Sequence, residues 1–100
     1  MSAYTALAEP HRREILDLLR AGERPAGEFV ERLDLSQPGV SKHLKVLRGA
    51  GLVVARVDGK HRLYTLRPEP LAEVDQWLEP YRAFWSQRLD ALERHLEENP

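Results

Sequence analysis

Gln37, Ser41, Lys42, Lys45 and Arg48 all lie within one short stretch, LSQPGVSKHLKVLRGAGLV, from Leu35 to Val53. On a helical wheel at roughly 100° per residue, Pro38, Lys42 and Lys45 share one side, Ser41 flanks them, and Gln37 and Arg48 sit at its edge. An amide, a hydroxyl and three cations on one helical face suit a DNA major groove. The amide and hydroxyl can meet base edges there, and the cations can meet phosphates. Catalytic chemistry has no comparable set. There is no nucleophile with a base at recognisable spacing, no glycine-rich phosphate loop and no paired carboxylates in an apolar setting. His11, His43, His61 and His95 are scattered singly. The residues exclude an enzyme and point to a recognition helix.

Local signals set the ends of that helix. Ser36 can cap its N-terminus, Pro38 is tolerated in the first turn, and Gly49 and Gly51 stand where it should stop. Val40, Leu44 and Leu47 give the buried stripe. Before it, Pro25 to Leu33 reads as a helix burying Ala26, Phe29, Val30 and Leu33, with Asp34-Leu35 as a tight link lacking glycine. Two short helices so joined form a helix-turn-helix, the alternative being a plain helical hairpin in a bundle. After it, residues 52–57 are extended in character, Asp58-Gly59 is a hairpin signal, and His61 to Leu66 returns to Arg67-Pro68. Such a ribbon is marginal alone and should pack on the helices through Val54, Tyr64 and Leu66. Its tip carries Lys60, His61 and Arg62. The expected fold is mainly α with a two-stranded β-hairpin, a winged helix-turn-helix.

Both ends of the chain read as helical. Residues 2–8 suggest a short helix with Tyr4, Leu7 and Ala8 apolar. Glu9-Pro10 opens a second helix, to Leu19, with Ile15, Leu16, Leu18 and Leu19 inward and His11, Arg12, Arg13 and Glu14 toward solvent. Arg12 and Arg13 read as solvated surface, with DNA backbone contact as the other reading. From Pro70, Leu71, Val74, Leu78, Tyr81, Trp85, Leu89, Leu92 and Leu96 recur at spacings of three and four. Pro80 suggests two helices, or one kinked helix, meeting near Glu79-Pro80. A finished winged-helix core has no evident way to bury this segment, so dimerisation through it is expected. Trp77, Tyr81, Phe84 and Trp85 then read as interface core, an apolar ligand pocket between dimer helices being the other reading.

One hundred residues make one domain, with 1–69 as helix-turn-helix and wing and 70–98 as the dimerisation segment. The net charge of −1 hides an uneven distribution. Residues 36–67 hold seven Lys/Arg (Lys42, Lys45, Arg48, Arg56, Lys60, Arg62 and Arg67) against Asp58 alone. The flanking segments carry net negative charge. Screening acts beyond ~8–10 Å, so a nucleic-acid partner feels the local patch more than the total. No cysteine is present, which removes disulfides and thiolate metal sites. No apolar run approaches a membrane span and no secretion signal opens the chain, so the default compartment is the cytoplasm.

These residues resemble the ArsR/SmtB type of bacterial transcriptional regulator over nearly the whole chain. ALAEPHRREILDLL is similar to that family's opening helix pair, LSQPGVSKHLKVLRGAGLV (with Ser41, His43 and Leu44 as S-x-H-L) to its recognition segment, and VDGKHRLYTL to its wing. The tail, LAEVDQWLEPYRAFWSQRLDALERHLEE, resembles the metal-independent branch. The resemblance implies a homodimer built from the first and last helices, with Tyr4, Leu7, Leu78, Tyr81, Trp85, Leu89, Leu92 and Leu96 at its interface. It implies binding of double-stranded DNA at an imperfect palindromic operator, usually as a repressor of its own operon. Gln37, Ser41 and Lys42 would read bases. Lys45, Lys60 and Arg62 would mainly hold phosphates, with Arg48 and His61 beside them. No cofactor or metal is implied. Residues 28–32 have no cysteine, Trp77 stands where a metal-binding His would, and His95 with Glu98 is a poor site alone. The rival readings are a winged-helix protein-interaction module without a specific DNA site, and a metal-responsive repressor.

Overall fold

In the computed structural model, which describes residues 2–98, the elements run α1 (Ala3–Leu7), α2 (Pro10–Leu19), β1 (Arg24–Pro25), α3 (Ala26–Leu33), α4 (Gln37–Gly49), β2 (Val53–Asp58), β3 (His61–Leu66) and α5 (Leu71–Glu98). Five residues cannot hold a helix alone in water, so α1 depends on its caps. Ser2 Oγ accepts from the Thr5 amide at 3.3 Å. At the other end Arg12 donates to the carbonyls of Ala6 (2.7 Å) and Thr5 (3.1 Å), and Arg13 to that of Leu7 (2.7 Å). Arg12 and Arg13 therefore cap α1 instead of standing free in solvent. Guanidinium groups at a helix C-terminus satisfy orphan carbonyls and complement the dipole.

Glu9 caps α2, its carboxylate accepting from the Arg12 amide at 3.1 Å, with Pro10 at the first helical position. Between α3 and α4 no glycine is needed, because Asp34 takes the left-handed conformation (φ 52°), which Asp tolerates better than most residues. Ser36 caps α4 through the Gly39 amide at 3.1 Å. At the far end the Leu52 amide reaches the Leu47 carbonyl and the Gly51 amide that of Arg48, both at 3.0 Å, with Gly51 at φ 75°. That pair of bonds is a Schellman stop.

The sheet has three strands in the order β1-β3-β2, all pairs antiparallel, so the two-residue strand β1 is added to the expected two-stranded hairpin. The turn is Gly59-Lys60, one residue later than Asp58-Gly59, because Asp58 pairs with His61. Gly59 supplies the positive φ (63°) that a two-residue turn with glycine first requires. A two-residue turn pairs odd with even positions. Tyr64 and Leu66 consequently share a face with Ala55 and Val53, and Val53 is buried while Val54 is exposed. Val53, not Val54, is the β2 residue that packs the wing on the body.

The core gathers Ala3, Ala6, Ile15, Leu16, Leu19, Phe29, Val40, Leu44, Leu47, Leu52, Val53 and Tyr64. In α3 only Phe29 is fully buried, with Ala26, Val30 and Leu33 half-buried around it. Helix α5 runs continuously for 28 residues with Pro80 inside it, so of the two expected forms, two helices or one kinked helix, the division into two does not occur. Pro80 removes one backbone bond, but the apolar repeat continues on both sides of it. At 1.5 Å per residue α5 is about 42 Å long, and none of its residues is fully buried. The molecule measures 62 × 28 × 20 Å with a radius of gyration of 18.1 Å, against about 13 Å for a compact chain of this length. No helix among the described residues is long and apolar enough to cross a membrane.

Candidate nucleic-acid interface

Burial of Val40, Leu44 and Leu47 fixes the roll of α4 about its own axis. Its other side, with Gln37, Pro38, Ser41, Lys42, Lys45 and Arg48, is exposed. Pro38 and the Ser36 cap rigidify the first turn, where Gln37 sits, with Ser41 opening the next. The wing tip presents Lys60, His61 and Arg62, also exposed. Between helix and wing lies a groove of about 440 Å3, rimmed by Lys45 and Arg48 and floored by Gly49 and residues 53–55 of β2. Among the described residues, Lys42, Lys45, Arg48, Lys60 and Arg62 form no ion pair. Every expected DNA-binding residue is therefore exposed on α4 or at the wing tip.

Arg56 is the exception within the basic segment. It donates from Nε and NH2 to the two oxygens of Glu23, at 2.8 and 2.6 Å, and Thr65 Oγ1 donates to the same carboxylate at 2.9 Å. The Arg56 and Thr65 bonds hold the Glu23 carboxyl below its usual range, and Glu23 in turn raises Arg56. This cluster ties the loop before β1 to both wing strands. It spends Arg56 on positioning the wing, and nothing in the sequence marks Glu23 as its partner.

A second cluster lies behind α4. His43 is half-buried with Nε2 3.9 Å from the Glu9 carboxylate, and its ring is 5.9 Å from that of His11. Nδ1 of each histidine is buried without a hydrogen bond. Burial lowers the His43 pKa. The Glu9 charge opposes that fall, and the charges of Arg12, His11 and Lys42 reinforce it. Burial alone would raise the Glu9 carboxyl, but the Arg12 amide bond and the His43 charge outweigh it and hold the group low. His43 thus joins the recognition helix to the cap of α2 and does not face outward. Among the described residues no group of three or more His, Asp or Glu could hold a metal ion.

The expected interface residues form a third surface. Tyr4 donates to the Glu73 carbonyl at 3.2 Å and meets Trp77 edge-on, with Trp77 against Tyr81. Leu7 and Leu78 are half-buried. Tyr81, Trp85, Leu89, Leu92 and Leu96 are exposed along one stripe, from 45% for Tyr81 to 65% for Leu89.

The family model described as a helix-turn-helix domain matches residues 7–56. HTH-type transcriptional regulator Rv2034 of Mycobacterium tuberculosis is 41% identical over 87% of this chain and 78% of its own length. Transcriptional repressor SdpR of Bacillus subtilis is 32% identical over 77% and 86%. The solved structure of an ArsR-like transcriptional regulator from Rhodococcus sp. RHA1 superposes with a TM-score of 0.67 at 31% identity, covering 91% of this chain and 86% of that one. The chain belongs to the ArsR/SmtB family of helix-turn-helix regulators. As a member of that family it is a DNA-binding transcriptional regulator and not an enzyme. In ArsR/SmtB terms α3 and α4 are the helix-turn-helix, β2 and β3 are the wing, and the matched segment stops short of the hairpin turn and α5.

Proposed function

We propose that this ArsR/SmtB regulator works in the cytoplasm as a homodimer that represses its own operon by occupying an imperfect palindrome. The observation that carries the dimer is α5. Its apolar stripe from Tyr81 to Leu96 has no covering element among the described residues, and exposed apolar patches of this extent mark interaction surfaces. A two-fold pairing through α5, with Tyr4 and Leu7 of α1 beside it, would present two α4 helices to successive major grooves about one helical turn apart. Gln37, Ser41 and Lys42 then read bases. Lys45, Arg48, Lys60, His61 and Arg62 hold the backbone, supported by their exposure and, for the Lys and Arg, by the absence of ion pairs among the described residues.

The test is titration of the DNA upstream of the protein's own gene against random DNA across a salt series. Three or four phosphates neutralised per protomer give a slope of log K on log salt near −5 to −7. Lys60→Ala should weaken binding to both DNAs alike and flatten the slope by about one unit. Gln37→Ala should cost ~1–3 kcal/mol at one operator position and spare random DNA. Equal losses on both DNAs for both variants would refute the division of roles. A reporter driven by that upstream DNA and unaffected by the protein would refute autorepression.

A further inference from the structure

A cleft of about 330 Å3 opens where α1, α2, the end of β3 and the start of α5 meet. Leu7, Leu16, Leu66 and Leu71 give it apolar walls, and one rim is charged, with Arg13, Asp17 and Arg20 standing along a single stripe of α2. We propose that this cleft binds a small anionic amphiphile, a monocarboxylate on a short hydrocarbon chain, with the chain against the leucines and the carboxylate at Arg20.

Three observations support that ligand class. The first is size. At ~30 Å3 for a water-sized group the cleft holds roughly ten non-hydrogen atoms, which is too little for a helix of another chain, about 10 Å across, and within the range of small-ligand sites. The second is the separation of character, with apolar walls and polar groups confined to one edge. The third is charge. Two arginines face one aspartate, and Arg13 is partly committed to the Leu7 carbonyl at 2.7 Å. The Arg20–Asp17 pair is long, at 3.9 Å, and largely exposed on both sides, so exchanging Asp17 for an incoming carboxylate costs little. A guanidinium fork accepts a carboxylate through two parallel bonds. A ligand seated there touches both the DNA-reading body and the root of α5.

The experiment is calorimetric titration of the full chain with octanoate, octan-1-ol and octylamine. It contains no DNA, so its outcome is separate from that of the operator reading. Octanoate should bind saturably and more tightly than the alcohol, and the amine should not bind. Arg20→Glu, at an exposed position, should weaken octanoate at least tenfold. Leu71→Trp, which fills the cleft, should abolish binding while circular dichroism stays unchanged. If Leu71→Trp unfolds the chain, Leu66→Phe serves in its place. No saturable response below millimolar octanoate, as when a second copy seals the cleft, would overturn the proposal. So would equal affinity for octanoate and octan-1-ol, or indifference to Arg20→Glu.

Discussion

Trp85→Ala tests whether the stripe on α5 is an interface. A tryptophan buries up to about 250 Å2, and Trp85 is 49% exposed in the single chain, so about 120 Å2 per copy is available to a partner. A two-fold contact removes the side chain twice, which makes about 240 Å2. At ~25 cal/mol per Å2 that is about 6 kcal/mol for the pair. Alanine keeps part of the contact, so the expected loss is nearer 5 kcal/mol, between a thousandfold and ten-thousandfold in the dimer dissociation constant. Sedimentation equilibrium over a concentration series reads this directly. Val57→Ala is the control, since Val57 is 70% exposed and lies on the wing, and it should leave self-association unchanged. A wild-type chain that sediments as a monomer at micromolar concentration would refute the reasoning. So would a shift below tenfold for Trp85→Ala, or an equal shift for Val57→Ala.

Glu23→Gln sets two effects of opposite sign against each other. Losing a negative charge beside Arg56 should tighten DNA binding and steepen its salt dependence, whereas loosening the tie between the loop and the wing strands should weaken it. We expect weaker binding with faster amide exchange along residues 53–58; tighter binding with a steeper slope would show that Glu23 only neutralises Arg56. Ser36→Ala removes the cap of α4 and should cost about 1 kcal/mol in urea unfolding, an unchanged midpoint being the refuting result. For pH, the His43 pKa is lower in the folded chain than its ordinary 6.5, so the unfolded chain binds more protons below that value. Stability contributed by neutral His43 is present above about pH 6.5 and is lost as the pH falls toward the folded value. Glu9 acts in the same direction but only as the pH falls below about 4.5. The unfolding midpoint should drop as the pH falls below about 6.5, and His43→Gln should flatten that drop; an unaltered slope in the variant would assign it to another group.

Helix α4 was legible in the sequence because independent local signals agree on it. A capping serine, a proline in the first turn, a three-four apolar spacing and paired glycines all describe the same element. The wing was legible for the same reason, but only to within one residue. The dipeptide Asp58-Gly59 suits a turn, yet the pairing of Asp58 with His61 moves the turn to Gly59-Lys60. Either two-residue turn pairs odd with even positions, so with Tyr64 and Leu66 inward the hairpin's parity puts Val53, not Val54, on the core face. Strand β1 was not legible, because two residues carry no period and one of them is a proline. Its pairing comes from β3, some forty positions later. The continuity of α5 was underestimated because Pro80 is a local signal, while the apolar repeat on both sides of it extends over the whole element.

The candidate interface followed a different logic. Residue types identified the cations but could not say which of them the fold would spend internally. Arg12 and Arg13, near the start of a helix, read from the sequence as solvated surface or as DNA contacts, and only the position of the α1 carbonyls shows them to be caps. Arg56 counts toward a basic segment until Glu23, thirty-three positions earlier in the chain, is folded against it. A phosphate-binding strip is therefore what remains after internal pairs are removed from the cationic residues. Within residues 36–67 six remain among the described residues: Lys42, Lys45 and Arg48 on α4, Lys60 and Arg62 on the wing, and Arg67 just after β3, the first five lying on the two elements whose rigid spacing a groove can read. If Arg56 bound phosphate instead, Glu23 would have to release two short charge-assisted bonds first, and the wing would lose its anchor in the act of binding.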